Sequence, residues 1–166
     1  MIVVADACPV IFLAKLDRLA LVQAVFPGAV VIPESVRVEL VRETIPLEER
    51  RRIGDFLKGC RVEAVRNPRV DASSLSLADR HVLALARKHP KSRVLSDDGL
   101  VRRIALAEGL PVTGTLGLIV RAAHAGIMTQ PEALQAVDEL VRDHQLRVSV
   151  DLYQGVLRQL RQRREE

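Results

Sequence analysis

The chain has 166 residues, 48% hydrophobic and 28% charged, with a formal net charge of +4. That length buries a core without disulfides or a structural metal, and that balance excludes a disordered tail protein. Cys8 and Cys60 have neither CxxC nor Cys/His spacing, which excludes a zinc site and a disulfide framework and implies a reducing, cytoplasmic setting. The start lacks the basic and long apolar regions of a secretory signal, and no stretch has the length of a membrane span. The positive balance suits a polyanionic partner, although the runs Arg50-Arg51-Arg52 and Arg161 to Arg164 also read as solvated helix faces. With only Phe12, Phe26, Phe56 and Tyr153 aromatic, a base-stacking platform of the RRM or OB kind is not expected.

In chain order, Ile2 to Ala5 reads as a buried strand. Helical periodicity runs from Pro9 to Phe26 with a break near Asp17. Ala29 to Ile32 is a second strand, and Pro33 suits the first turn of a helix to Glu43. A further helix is expected over Leu47 to Lys58, then either an edge strand or an extended linker over Cys60 to Val65, with a turn at Asn67-Pro68. Ser76 precedes a helix over Leu77 to His89 that Pro90 stops. Arg93 to Leu95 and Leu110 to Val112 are the remaining strands, and helices follow over Gly99 to Glu108 and Leu116 to Ala125. Pro131 to His144 is helical behind a Thr129/Glu132 capping box, and Ser149 caps a last helix reaching the basic tail. Strands alternating with helices imply a three-layer α/β/α sandwich with a central parallel sheet. One domain over residues 1–166 is expected, with a helical extension from about residue 127.

Four acids stand where such a fold collects chemistry. Asp6 follows the first strand and Asp98 follows Arg93 to Leu95, so both carboxylates belong at the carboxyl edge of the sheet, where open α/β folds build their sites. Glu39 lies inside the second helix and Asp79 in the first turn of the helix after Ser76, and each could project to that edge. Each also has an ordinary role. Asp6 and Asp98 suit helix N-caps, Ser76/Asp79 matches a capping box, and Glu39 could face solvent beside Arg42. Convergent carboxylates repel one another unless a cation lies between them.

The parts Ile2-Val3-Val4-Ala5-Asp6-Ala7, Ile32-Pro33-Glu34-Ser35-Val36-Arg37-Val38-Glu39-Leu40, Leu75-Ser76-Leu77-Ala78-Asp79-Arg80-His81-Val82-Leu83-Ala84-Leu85-Ala86 and Val94-Leu95-Ser96-Asp97-Asp98 stand in the order and spacing of a known pattern. Over roughly residues 1 to 125 the chain resembles the PIN-domain family, in particular the compact prokaryotic VapC-type toxins and their relatives. Val112-Thr113-Gly114-Thr115-Leu116-Gly117-Leu118 is similar to the post-strand turn of an uncharacterised prokaryotic PIN-like subgroup. The resemblance implies a metal-dependent endoribonuclease, the toxin of a toxin-antitoxin pair, in which Asp6, Glu39, Asp79 and Asp98 hold Mg²⁺ or Mn²⁺. It implies RNA as substrate, a small antitoxin protein as partner, and a homodimer. Cys8 stands where relatives carry serine or threonine. Hard divalent ions prefer a few carboxylates with retained waters, which is why this residue set suits them. The pair Asp97-Asp98 is ambiguous; counting two residues from Ser96 selects Asp98, whereas Asp97 would point the other way if the chain stays extended.

Thr113, Thr115, Arg42, Arg80 and Arg102 are candidate substrate contacts, each with a capping or solvent-facing alternative. The four histidines, His81, His89, His124 and His144, lie on expected helices without an i,i+4 partner and read as helix-surface residues. No histidine is placed to activate Cys8 as a nucleophile. A haloacid-dehalogenase-like phosphatase would need an aspartate where Cys8 stands, and a response-regulator receiver would need a second acid beside Asp6. The reading from another class is a catalytically weak PIN-like module that binds RNA or a protein.

Overall fold

The computed structural model describes residues 1–66 and 74–162; the turn expected at Asn67-Pro68 and the end of the basic tail lie outside them. Five strands, β1 (Ile2–Ala5), β2 (Ala29–Pro33), β3 (Arg61–Glu63), β4 (Ser92–Leu95) and β5 (Val112–Thr113), form one sheet in the order β3-β2-β1-β4-β5 with every pairing parallel. A parallel strand covered on both faces needs an unbroken apolar run, and Val3, Val4, Val30, Val31, Ile32, Val94 and Leu95 are fully buried. Cys60 to Val65 resolves into the short edge strand β3, whose Val62 is exposed.

The helices are α1 (Ala7–Lys15), α2 (Leu21–Val25), α3 (Glu34–Leu40), α4 (Leu47–Lys58), α5 (Leu77–Lys88), α6 (Gly99–Ala107), α7 (Thr115–His124), α8 (Gln130–Arg142) and α9 (Val150–Arg161). The helices of the crossovers from β1 to β2 to β3 pack on one another, α1 on α3 and α4, and the long return from β3 to β4 lays α5 across β1, β2 and β4. The result is a three-layer α/β/α sandwich. Asp17, with φ of 56°, breaks the first helical stretch into α1 and α2 at the expected place.

Three of the boundaries that differ from the sequence reading have a local cause. Pro33 ends β2 and caps α3 instead of opening its first turn. α3 stops at Leu40, three residues short of Glu43, because Ile45 turns in to the core through an Ile45 N–H bond to the Arg42 carbonyl. β5 starts at Val112, two residues later than expected, since Pro111 has no N–H and contributes only its carbonyl, which accepts from Val94 N–H at 2.8 Å. The extension past α7 is part of the same core: Ala133, Val137, Leu140, Val156 and Leu160 join the cluster that contains Val3 and Val4, and α8 and α9 pack on α7.

Candidate active site

The chain leaves β1 toward β2 and leaves β4 toward β5, so the two neighbouring strands diverge at their carboxyl ends. That switch point is where an open α/β sheet leaves a crevice between its loops. Asp6 stands in it. The Asp6 N–H donates to the Leu95 carbonyl at 2.9 Å, continuing the ladder by one residue, and its side chain caps α1. One carboxylate oxygen accepts from Ala7 N–H at 2.7 Å and the other from Ser96 Oγ at 2.9 Å.

Asp6 is only 5% exposed. Burial pushes its carboxyl up from 3.8 to about 6; the Ser96 and Ala7 hydrogen bonds pull it down, while the charges of Asp79 and Glu39 push it further up. A shift of that size means that ionised Asp6 costs the fold about 3 kcal/mol at neutral pH. Asp6 therefore lies in the field of both Glu39 and Asp79.

Asp79 also belongs to a complete capping box on α5: its backbone N–H donates to Ser76 Oγ at 3.1 Å, and its carboxylate accepts from Ser76 N–H at 3.1 Å and from Ser76 Oγ at 2.7 Å. The cap fixes the side chain, and the topology brings it toward Asp6. Glu39 is half-buried on α3, which packs against α5. Cys8, at the exposed rim, lies inside the same field. Its thiol is pushed up from 9.0 to about 12, first by desolvation and then by the charges of Asp6, Asp97, Glu39 and Asp79, so it stays protonated and is no nucleophile.

The two aspartates after β4 separate cleanly. Asp98 is exposed and caps α6, accepting from Leu100 N–H and Val101 N–H, both at 2.9 Å. Asp97 turns inward. Its carboxylate accepts from Thr115 N–H at 2.7 Å and Thr115 Oγ1 at 2.5 Å; burial raises its pKa, opposed by Thr115 and by the nearby Arg102. Gly114 makes this possible, since a Cβ there would stand 2.6 Å from an Asp97 carboxylate oxygen and 3.0 Å from an Arg102 guanidinium nitrogen. The charge that reaches Cys8 from beyond β4 is that of Asp97.

A family model for the PIN domain, DUF3368, matches residues 2–162, nearly the whole chain. The chain belongs to the PIN-domain family. No curated protein matches it. Among solved structures it is similar to a domain of a functionally unknown protein from Methanocaldococcus jannaschii, at 22% identity and a TM-score of 0.48, covering 68% of this chain and 89% of that one.

In this PIN domain the remaining candidates scatter. The Thr113 hydroxyl accepts from Arg93 at 2.9 Å, and the Thr115 hydroxyl is committed to Asp97. Arg102 reaches the Ser96 carbonyl at 3.3 Å and so stands at the site's edge. Arg80 is half-buried beside Asp79 in sequence, with its Nε buried and without a hydrogen bond, and Arg42 is exposed past the end of α3. Ser96 is the residue that sequence reasoning used only as a counting mark. Its hydroxyl is the link between the ends of β1 and β4, and its signal was its place one residue past a buried strand.

The donor set fits a hard divalent ion in chemistry. Among the described residues no three His, Cys, Asp or Glu side chains close around one point. Mg²⁺ keeps several waters and takes one or two carboxylates together with substrate phosphate, so it does not require a closed carboxylate cage.

Proposed function

We propose that this PIN domain is a divalent-metal-dependent endoribonuclease acting in the cytoplasm. The observation that carries the reading is Asp6, a buried carboxylate at the switch point in the field of two further acids. Its folded cost makes sense as the complement of a positive charge. Mg²⁺ or Mn²⁺ would be held by Asp6, Glu39 and Asp79, and supplies Lewis acidity toward a phosphate and a water activated at neutral pH. The protein's own residues do the positioning. Ser96 and Ala7 N–H fix both oxygens of Asp6 while leaving each a free lone pair, and the Ser76 cap fixes Asp79. We assign the fourth acidic place to Asp97 instead of Asp98, because Asp97 acts on Cys8 together with Asp6, Glu39 and Asp79, and Asp98 is spent on the cap of α6.

RNA as substrate and a toxin role with a small antitoxin rest on the VapC-like resemblance. A homodimer is supported by Val38 on α3, Val41 just past its end and Leu77 at the start of α5, exposed apolar side chains at two helices in contact. The test is cleavage of single-stranded RNA by the purified protein with Mg²⁺ or Mn²⁺, its loss with EDTA, and its loss in Asp6→Asn. The openness of the carboxylate set favours one second reading, a PIN-like module that binds RNA and cleaves it weakly. Metal-independent RNA binding with no cleavage by the wild-type protein is the result that selects it.

A further inference from the structure

A cavity of about 490 Å³ opens beside Asp97, between α7 and the segment running from Leu146 through α9. Its size falls in the range of roughly 300–1,000 Å³ usual for small-molecule sites. The walls are aliphatic, formed by Val112, Leu116 and Val120 on one side and Val148, Leu152 and Val156 on the other. The charged lining is one-sided: Arg102, Arg121 and Arg147 against the single acid Asp97. Arg121 rests over the Phe26 ring, and neither it nor Arg147 pairs with a carboxylate among the described residues. Gln159 also lines the wall, and its side-chain amide offers one donor set and one acceptor.

A slot with aliphatic walls, rimmed by Arg121 and Arg147 with no carboxylate partner among the described residues, suits a ligand with a flat apolar body and a negative charge. Guanidinium planes also stack on nucleobases much as aromatic rings do, which meets the lack of an aromatic residue in the lining. Asp97 and Arg102 line this cavity and also stand at the edge of the acidic site. We propose that the cavity is a nucleotide subsite, taking one splayed-out nucleotide of a single RNA strand that runs on from the acidic cluster. The proposal rests on the ribonuclease reading for its substrate. Arg121 and Arg147 meet the phosphate, and Gln159 meets the base edge.

The test is binding of a fluorescently labelled single-stranded RNA oligomer to the full chain in EDTA, read by anisotropy, with cleavage in Mn²⁺ measured separately. Arg147 and Leu152 are both exposed. Arg147→Glu and Leu152→Glu should each raise Kd about tenfold or more, whereas Leu152→Lys should lower it, with melting temperatures unchanged. Weakening by both Leu152 variants alike overturns the electrostatic account. The same sequence as a duplex should compete about tenfold less well, because a paired base cannot enter a slot. Equal competition by duplex, or by free nucleoside monophosphates, overturns the assignment to a single strand. If the wild type cleaves RNA and these variants leave Kd and cleavage untouched, the subsite fails and the nuclease stands. If the wild type binds with this pattern and never cleaves, the nuclease reading fails and the subsite stands.

Discussion

The carboxyl ends of β1 and β4 lie side by side in the sheet, and each is followed at once by a helix with an aspartate cap. At the end of β1, Asp6 caps α1 with one oxygen, gives the other to Ser96, and is buried in the field of Asp79 and Glu39. At the end of β4, Asp98 caps α6 in the open. The same residue type in the same local motif is thus buried among acids in one place and exposed in the other. Burial and like charge make the difference, not the cap. A carboxylate that a fold keeps at a cost of about 3 kcal/mol is a better mark of function than one that merely follows a strand.

The largest effect should come from Asp6→Asn. Asparagine keeps an acceptor for Ala7 N–H but is a poor ligand for a hard cation, so metal-dependent RNA cleavage should fall to background. Stability at neutral pH should rise by as much as about 3 kcal/mol in urea unfolding. The sign follows from the raised pKa. Protonated Asp6 favours the fold below 3.8, and that benefit is lost as pH rises through about 6, so the mutant's advantage should vanish near pH 4. A mutant no more stable at neutral pH would show that the two strand ends do not differ as described.

The pair Asp97→Asn and Asp98→Asn sharpens the contrast at the second strand end. Asp97→Asn should lower cleavage about 10- to 100-fold, the usual cost of losing a residue that holds the metal-binding set in place. Asp98→Asn should stay within about 0.5 kcal/mol of wild-type stability and keep its activity, since asparagine caps a helix nearly as well. Reversed ordering in a cleavage assay returns the fourth acidic place to Asp98.

Which aspartate faces inward could not be read from the sequence, for a physical reason. Strand alternation decides between neighbours only while the chain is extended, and β4 ends at Leu95; the backbone then turns, and Thr115 and Arg102, distant in sequence, fix Asp97. Local signals were legible: the buried apolar runs of β1, β2 and β4, the break at Asp17, and the capping boxes Ser76/Asp79 and Thr129/Glu132. Those boxes make the same point as the two strand ends. The Thr129 hydrogen bonds, and after them Arg18, lower the pKa of Glu132, while Asp79 adds its charge to Asp6, and the topology sets that difference. The cavity beside Asp97 was likewise out of reach, because its walls come from residues near 112–121 and 146–159.

A smaller effect is expected at the link between the strand ends. Ser96→Ala removes the hydroxyl that favours ionised Asp6, so the Asp6 carboxyl should titrate above about 6 when followed by NMR, with stability down by about 1 kcal/mol at neutral pH. An unmoved titration would mean that Ser96 does not hold the carboxylate.

The most direct test of the central claim is calorimetric titration of Mn²⁺ into the wild-type protein and Asp6→Asn at two pH values, one on each side of the Asp6 pKa. The acidic cluster predicts binding to the wild type that weakens at the lower pH, where Asp6 holds its proton, and that releases protons in the range around pH 6. It also predicts a melting temperature that climbs with metal concentration, and no binding to the mutant. Equal binding by the two proteins, or none by the wild type at millimolar metal, would contradict it.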